Sequence, residues 1–479
     1  MENVKEKAAK GLFWTFMEKG GKQFIQFALG IIIARHLTPE DYGVVGMLSI
    51  FMAVSGVFLD SGIGNALIQK KDRTDEDIST AFYITFGIGI FLYAILYFFA
   101  PFIADFYKTP ILTPITRVLS LTLVINSFYM PAMALLTIKL NFKAQTLISL
   151  IALFLGGIIG IFFATRGSGP WALVYYSLTE SIVRGLLFQL YVHYIPHSKF
   201  SRQSFKHIFS FGTKILAGNI INSIYNNMYA LVIGRSFNAY SVGIFNRGKN
   251  FPESLTYTMS HSVVKVAYPI FSDYQENREK LKEIFLRITQ IEFYFLAPLI
   301  TGMVLLAKPL IIVILKEKWL DCVPIMQLLC IGSLWLPFID VYTNLFYSIG
   351  RTDVTLKYQL IEKPLSIATL FLSVPFGLNV ICVARIASSF LSYFIYAVFV
   401  RHYFAVGFIA QVKNILPALF STLVMGGVVY CSTYFLSGNM LKLGIGFIIG
   451  ALTYLLIGLV TMAKPLYIVI DFFRKKRMR

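Results

Sequence analysis

Charge is scarce in this chain: only 14% of its 479 residues are Asp, Glu, Lys or Arg, against roughly a quarter in soluble domains. Beside 57% apolar residues, that deficit excludes a conventional water-soluble globule and points to a chain solvated by lipid. Acidic residues are the scarcest, 24 against 43 Lys plus Arg, for a formal charge of +19. In a soluble protein such an excess would raise the question of nucleic acid. In a membrane protein Lys and Arg collect in cytoplasmic loops and hold the topology, so no nucleic-acid partner is implied. Cysteine is sparse too: Cys322, Cys330, Cys382 and Cys431 are widely spaced and form no CxxC, so no disulfide framework or zinc site is legible. The six histidines have neither metal-ligand nor nucleophile–base spacing, and no enzyme site, metal or cofactor is expected.

What the chain has in abundance is long apolar runs. About fourteen segments of spanning length, about 20 residues each, start near residues 12, 42, 79, 111, 143, 170, 207, 241, 284, 323, 354, 378, 413 and 442. Continuous runs exclude a transmembrane β-barrel, whose strands would alternate over about ten residues, so the predicted class is an all-α polytopic membrane protein. The N-terminal stretch is interrupted by Glu18, Lys19 and Lys22 and no small-residue cleavage site follows it, so it reads as a span rather than a signal peptide. Lys and Arg are concentrated in one set of loops, including the N-terminal tail, Lys70 with Lys71, Lys199 to Lys206 and Lys464 to Arg479, which predicts both termini on the cytoplasmic side. No connection exceeds roughly twenty residues, leaving no room for a soluble catalytic domain.

The chain also repeats itself at an offset of two hundred residues. Ile31-Ile32-Ile33-Ala34-Arg35, then Gly43, returns without a gap as Leu231-Val232-Ile233-Gly234-Arg235, then Gly243. At the same offset Lys19, Lys22, Gln23 and Gln26 fall on Asn219, Asn222, Ser223 and Asn226, Asp60 on Ser260, and Asn65 on Lys265. Six spans separate the copies, an even number, so the repeats are parallel. The predicted organisation is a first lobe over 1–195 (spans 1 to 6), a cytoplasmic linker over 196–206, a second lobe over 207–403 (spans 7 to 12), and spans 13 and 14 with a basic tail over 404–479.

Charged groups inside spans are costly, at least about 2.5–3.5 kcal/mol at mid-bilayer, and tend to face a bundle interior or a watery cavity. Span 1 carries Thr15, Glu18, Lys22 and Gln26 on one helical stripe. Span 7 carries Lys214, Asn219, Asn222 and Asn226, and span 8 carries Arg247, Lys249, Glu253 and Lys265 among other polar residues. With span 2, these spans are expected to line a central cavity of net positive charge. Each residue also has a plainer reading. Glu18 with Lys22, and Glu180 with Arg184, are i, i+4 pairs that neutralise one another, while Arg35 and Arg235 lie near helix ends and can snorkel to headgroups. Asp60, Glu292, Asp340, Glu362, Lys363 and Arg385 complete the intramembrane set with Glu180 and Arg184. Gly156 with Gly160, and Gly446 with Gly450, are GxxxG pairs that predict close helix packing. The run Arg166-Gly167-Ser168-Gly169-Pro170 reads as a turn, not a phosphate loop.

A basic cavity rich in Asn, Gln and Tyr suits an anion that also bears hydroxyl groups, and a sugar chain on a lipid pyrophosphate has both features. Lys22, Lys214, Arg247 and Lys249 are the candidates for the phosphates; Gln26, Asn222, Tyr225 and Asn226 are the candidates for sugar hydroxyls; Asp60 and Glu253 are candidates for ion coupling. With a negative cytoplasm, outward movement of an anionic headgroup is downhill by about 2.3 kcal/mol per charge per 100 mV.

Four strings carry a family resemblance: Leu37-Thr38-Pro39-Glu40-Asp41-Tyr42-Gly43, Asp60-Ser61-Gly62-Ile63-Gly64-Asn65-Ala66-Leu67-Ile68-Gln69, Ala100-Pro101-Phe102-Ile103-Ala104-Asp105-Phe106-Tyr107 and Gly169-Pro170-Trp171-Ala172-Leu173-Val174. With them the chain resembles the Wzx-type polysaccharide and lipopolysaccharide exporters of the multidrug/oligosaccharidyl-lipid/polysaccharide exporter superfamily. The resemblance implies a V-shaped, MATE- and flippase-like pair of six-helix lobes with two further helices. It also implies alternating access, and transfer of undecaprenyl-pyrophosphate-linked oligosaccharide to the outer leaflet of the bacterial inner membrane for O-antigen, capsule or exopolysaccharide synthesis. The implied partners are that lipid-linked oligosaccharide, membrane lipid, and polysaccharide polymerase and chain-length machinery. The sequence departs from the family pattern at Tyr229, where an Asp is common. The alternatives are a cation-coupled multidrug exporter, which the basic balance of spans 1, 7 and 8 disfavours, and a peptidoglycan-precursor flippase. A membrane glycosyl polymerase would need a sizeable outward loop.

Overall fold

In the computed structural model, the described residues are 2–60, 62–461, 465 and 466; the side chains of 2–13, 15, 16, 18, 19, 65, 207, 210–215 and 217 are outside the description. Among the described residues the chain is helical without a strand. In chain order the helices are α1 (Glu2–His36), α2 (Pro39–Met47), α3 (Ser49–Asp60), α4 (Ile63–Gln69), α5 (Asp75–Tyr107), α6 (Leu112–Leu119) and α7 (Leu121–Ile138). There follow α8 (Phe142–Thr165), α9 (Trp171–Val192), α10 (Arg202–Ser236), α11 (Ala239–Asp273), α12 (Arg278–Leu305) and α13 (Ala307–Leu315). The last six are α14 (Cys322–Ser333), α15 (Leu336–Ser348), α16 (Thr352–Ser373), α17 (Leu378–Phe404), α18 (Phe408–Tyr434) and α19 (Asn439–Val460).

Each predicted apolar segment coincides with one helix or one broken pair. Among the described residues eight spans, counting α6–α7 and α14–α15 as one each, are long and apolar enough to cross a membrane, and a ninth is the pair α2 and α3, bent by 43°. The protein is therefore a multi-pass membrane protein. Helices α1, α9, α10, α11 and α16 are long enough, at 22 to 35 residues, but the charges they carry dilute their apolar character. The outer surface agrees: Phe98 is 72% exposed, Phe102 68% and Leu372 72%, exposures that hydrocarbon tolerates and water penalises.

The chain forms two compact units, 1–243 and 244–479. The first holds the predicted first lobe, the linker, α10 and the first turn of α11. Within it α8 packs on α1 and α9, α5 on α7, and α10 on α3, α4 and α5. GxxxG packing holds as predicted: a Cβ on Gly156 would meet the Tyr176 carbonyl oxygen of α9 at 2.9 Å, and Gly160 sits as tightly against the Tyr176 side chain. In the second unit α12 packs on α18 and α14 on α17. Its core is aromatic, with Trp335, Phe338, Tyr342, Tyr393 and Tyr396 in ring contact. Polar ends of these rings are satisfied inside: the Tyr342 hydroxyl donates to Gln411 Oε1. Gly446 approaches Leu306, and Gly450 approaches Val429.

The string Leu37 to Gly43 is a helix start. Thr38 Oγ1 accepts from the Asp41 backbone N–H at 3.2 Å, Asp41 Oδ2 accepts from the Thr38 N–H at 2.8 Å, and Pro39 occupies the first turn, which is a complete capping box. Thr74 and Asp77 repeat the device at the start of α5, with Lys70 Nζ 2.7 Å from the buried Asp77 carboxylate. Gly167 and Gly169 take positive φ of 75° and 57° in the predicted turn.

The two-hundred-residue offset reappears in the helix bounds: α1 and α10 are both 35 residues long and begin at 2 and 202, and α2 and α11 begin at 39 and 239. It also appears as a contact. A Cβ on Gly43 would lie 1.6 Å from the Ala239 carbonyl oxygen, and one on Gly243 would lie 1.8 Å from the Pro39 carbonyl oxygen. Pro39 and Ala239, like Gly43 and Gly243, are partners at that offset, so the contact is reciprocal, as across a two-fold axis. No side chain fits there. Gly43→Ala or Gly243→Ala should each cost about 1–3 kcal/mol by overpacking, towards the upper end because the opposing atom is backbone. Gly56→Ala, where nothing lies within 4 Å, should be neutral or up to about 1 kcal/mol stabilising. Thermal unfolding of the detergent-solubilised variants measures the contrast, and equal behaviour of all three would refute the crossing.

Candidate functional site

The described residues contain no group of His, Cys, Asp and Glu able to hold a metal, and the chemistry of this chain lies in charges set along its helices. In the first unit Lys22 is half-buried and Gln26 exposed on α1. Asn222 and Asn226 are exposed and Tyr225 half-buried on α10, where spacings of three and four make one stripe. Helix α1 packs on α8, held in part by Thr146 Oγ1 donating to the Trp14 carbonyl at 3.1 Å. Helix α10 packs on α3, α4 and α5, so the two polar stripes rest on different neighbours. The side chains of Lys214 and Glu18, and the basic tail apart from residues 465 and 466, lie outside the described residues. Tyr229, the departure from the family pattern, is buried.

Two of the cavities in this unit bear on the site. The larger of them, about 690 Å³, is walled by α3, α5 and α10 with residues such as Ile50, Val54, Phe91, Ile95 and Ile224, and among the described residues Ser55 is its one polar lining residue. Such a lining can accept hydrocarbon. The smaller, about 210 Å³, has Asp60 at the end of α3 facing Thr85 and Thr137. That is where the structure puts one of the two predicted coupling carboxylates.

The second unit brings charges together. Glu253 on α11 lies 3.5 Å from Lys249 Nζ, one turn earlier, and accepts from Arg385 of α17 at 2.7 Å. The three side chains retain 21% to 35% of their exposure, so the cluster is open on one side. Two cations share one carboxylate. Arg247 lies on the same helix, its guanidinium carbon 5.4 Å from the ring centroid of the fully buried Trp319, a cation–π contact that holds the charge in place. Gly248 permits this approach, since a Cβ there would come within 3.0 Å of Ile325 on α14. Lys249 and Glu253, predicted for separate duties, are thus members of one ion pair. Arg385 is the member that sequence reasoning did not assign to the site. It lies 132 residues from Glu253, and no local spacing could pair them.

The paired residues Glu180 and Arg184 form the predicted salt bridge in α9. Arg235 stands exposed with its guanidinium carbon 5.4 Å from the Phe106 ring centroid.

Comparison with known proteins fits this architecture. The lipopolysaccharide biosynthesis protein WzxC of Escherichia coli (strain K12) is 24% identical over 366 residues, 75% of this chain and 74% of that protein. The teichuronic acid biosynthesis protein TuaB of Bacillus subtilis (strain 168) is 24% identical over 466 residues, 95% of this chain and 96% of that protein. Among solved structures, the lipid II flippase MurJ in its inward closed conformation superposes with a TM-score of 0.74 at 15% identity, covering 98% of this chain and all of that one; the likeness is one of fold. The family model described as "Polysaccharide biosynthesis protein" matches residues 32–324, more than half of the chain, and the chain belongs to that family.

Proposed function

We propose that the protein is a flippase, not an enzyme, that carries undecaprenyl-pyrophosphate-linked oligosaccharide from the cytoplasmic to the outer leaflet by alternating access, for surface polysaccharide synthesis. In this reading all fourteen helical segments span the bacterial inner membrane, the two parallel repeats are its lobes, and both ends of the chain face the cytoplasm. The observation that carries it is the cationic cluster of the second unit. Lys249, Arg385 and Arg247 bring three cations to membrane helices around Glu253, where charge is expensive to bury. A diphosphate offers such cations negative charge and accepts charge-assisted hydrogen bonds. In the first unit Lys22 contributes a further cation, and Gln26, Asn222, Tyr225 and Asn226 offer hydrogen bonds to sugar hydroxyls. The apolar cavity of that unit suits an isoprenoid chain. Names of relatives that refer to lipopolysaccharide and teichuronic acid synthesis support the polysaccharide branch. The likeness of fold to a lipid II flippase keeps a peptidoglycan-precursor flippase as the second reading.

Deletion of the gene in its host, in the absence of a second flippase, should abolish surface polysaccharide and leave the lipid-linked unit on the cytoplasmic leaflet. Wild type should restore export, whereas Lys22→Ala and Arg247→Ala should not. Normal polysaccharide in the deletion strain refutes the proposal, and accumulation of peptidoglycan precursor instead selects the second reading. A direct binding measurement isolates the anion site. Purified protein should bind farnesyl pyrophosphate, and Arg385→Gln should weaken binding about tenfold, the equivalent of about 1.4 kcal/mol, by removing a charge-assisted bond. Glu253→Gln, which releases both cations, should bind at least as tightly as wild type. Equal affinities for wild type and Arg385→Gln would move the diphosphate elsewhere.

A further inference from the structure

Between Glu180 and Glu253 the chain carries no acidic residue, and within that stretch Lys199, Arg202 and Lys206 fall together where α9 gives way to α10. Arg202 and Lys206 are exposed and enter no ion pair among the described residues. Their backbone is pinned to the start of α5. The Ser201 N–H donates to Thr80 Oγ1 at 3.0 Å and the Ser198 N–H to Ser79 Oγ at 3.3 Å, while Ser201 Oγ caps α10 by accepting from the Ser204 N–H at 3.4 Å. Ile208 then packs into a buried cluster with Ile63 and Leu67 of α4 and Ile78 of α5.

Along α10 the spacing of Arg202, Lys206, Phe209, Leu216, Ile224 and Leu231 keeps all six on one helical face, and the last four line the cavity of about 690 Å³. The two cations therefore head the same stripe that becomes the cavity wall. Of the lining residues, Phe91 of α5 is 64% exposed and Phe209 52%, so the cavity opens to its surroundings, and α5 is a membrane span. Water is a poor occupant, because a buried water needs two to four polar partners and Ser55 is the one polar lining residue among those described. Hydrocarbon is a good one. Bulk phospholipid far outnumbers any lipid-linked intermediate in a membrane, and by mass action it fills an open site first; the cations at its head select a negative headgroup. We infer that this is a binding site for an anionic glycerophospholipid, with an acyl chain in the cavity and the phosphate beside Arg202 and Lys206. It shares no residue with the Lys249, Glu253 and Arg385 cluster. An isoprenoid chain entering the cavity has to displace this lipid; that competition rests on the flippase reading, and the lipid site does not.

The test is native mass spectrometry of the full-length, delipidated protein titrated with phosphatidylglycerol or phosphatidylcholine of identical acyl chains. Wild type should hold phosphatidylglycerol about tenfold more tightly. Arg202→Gln combined with Lys206→Gln, both at exposed positions, should bring the two lipids level, and Val54→Trp, which fills the cavity, should weaken both. No preference in wild type, a preference that survives the double substitution, or undiminished binding by a folded Val54→Trp would each overturn the inference. If Val54→Trp does not fold, photoreactive benzoylphenylalanine in place of Phe209, an exposed lining residue, decides the question. Irradiated in native membranes, it should cross-link to glycerophospholipid; cross-linking chiefly to a polyisoprenyl lipid, or to no lipid, would overturn the site as assigned. Failure of the flippase reading gives a different pattern: the deletion strain keeps its surface polysaccharide while the preference for phosphatidylglycerol and its loss in the double variant stand.

Discussion

A charge in hydrocarbon must be paired, neutralised or given water, and the polar residues of this protein are arranged by that requirement. Glu180 and Arg184 answer it within one helix, over the surface where α8 and α9 come together at Gly156. Lys70 and Asp77 answer it at a helix end, where the carboxylate also serves as half of a capping box. Lys249, Glu253 and Arg385 answer it across two helices, with two cations on one carboxylate. One cost, at least about 2.5 kcal/mol per misplaced charge, thus accounts for each of these pairings.

The strings that carry the family resemblance belong to scaffold. Thr38, Pro39 and Asp41 start α2, and Gly169 lies 3.0 Å, at its would-be Cβ, from the Asp41 carboxylate. Tyr107 donates to the Met47 carbonyl at 3.1 Å, and Gly234 leaves room for Tyr107 and Met47 together. Three of the four strings and the repeated glycines therefore converge on the two ends of α2. What they encode is a turn, a cap and a backbone crossing, geometry that only a few residue types satisfy. Apart from Asp60, which opens the second string, the candidate site residues lie outside these strings, where side-chain chemistry has more freedom.

The helical segments were legible because hydrocarbon demands long apolar runs with internally satisfied backbones, and every predicted segment coincides with helix. Their breaks were not. Nothing in the composition of 39–60 signals a 43° bend, since a bend depends on what the helix packs against. The i, i+4 pair in α9 was readable from spacing alone. The link from Glu253 to Arg385 joins residues far apart in sequence and is a product of tertiary folding. Glu253 was recognisable as an intramembrane charge; its partner on α17 was supplied by another helix.

The backbone crossing at Gly43 also has a consequence for biosynthesis. Helix α2 meets its counterpart at Ala239 and Gly243, and α10 supplies one wall of the α3 and α5 groove. At bacterial elongation rates of about 5–20 residues per second, the roughly 200 residues between the two crossing points take on the order of ten seconds or more to make. Until α10 is made, the groove between α3 and α5 lacks one of its walls. The first unit is thus completed late, by a helix that must find a surface already formed.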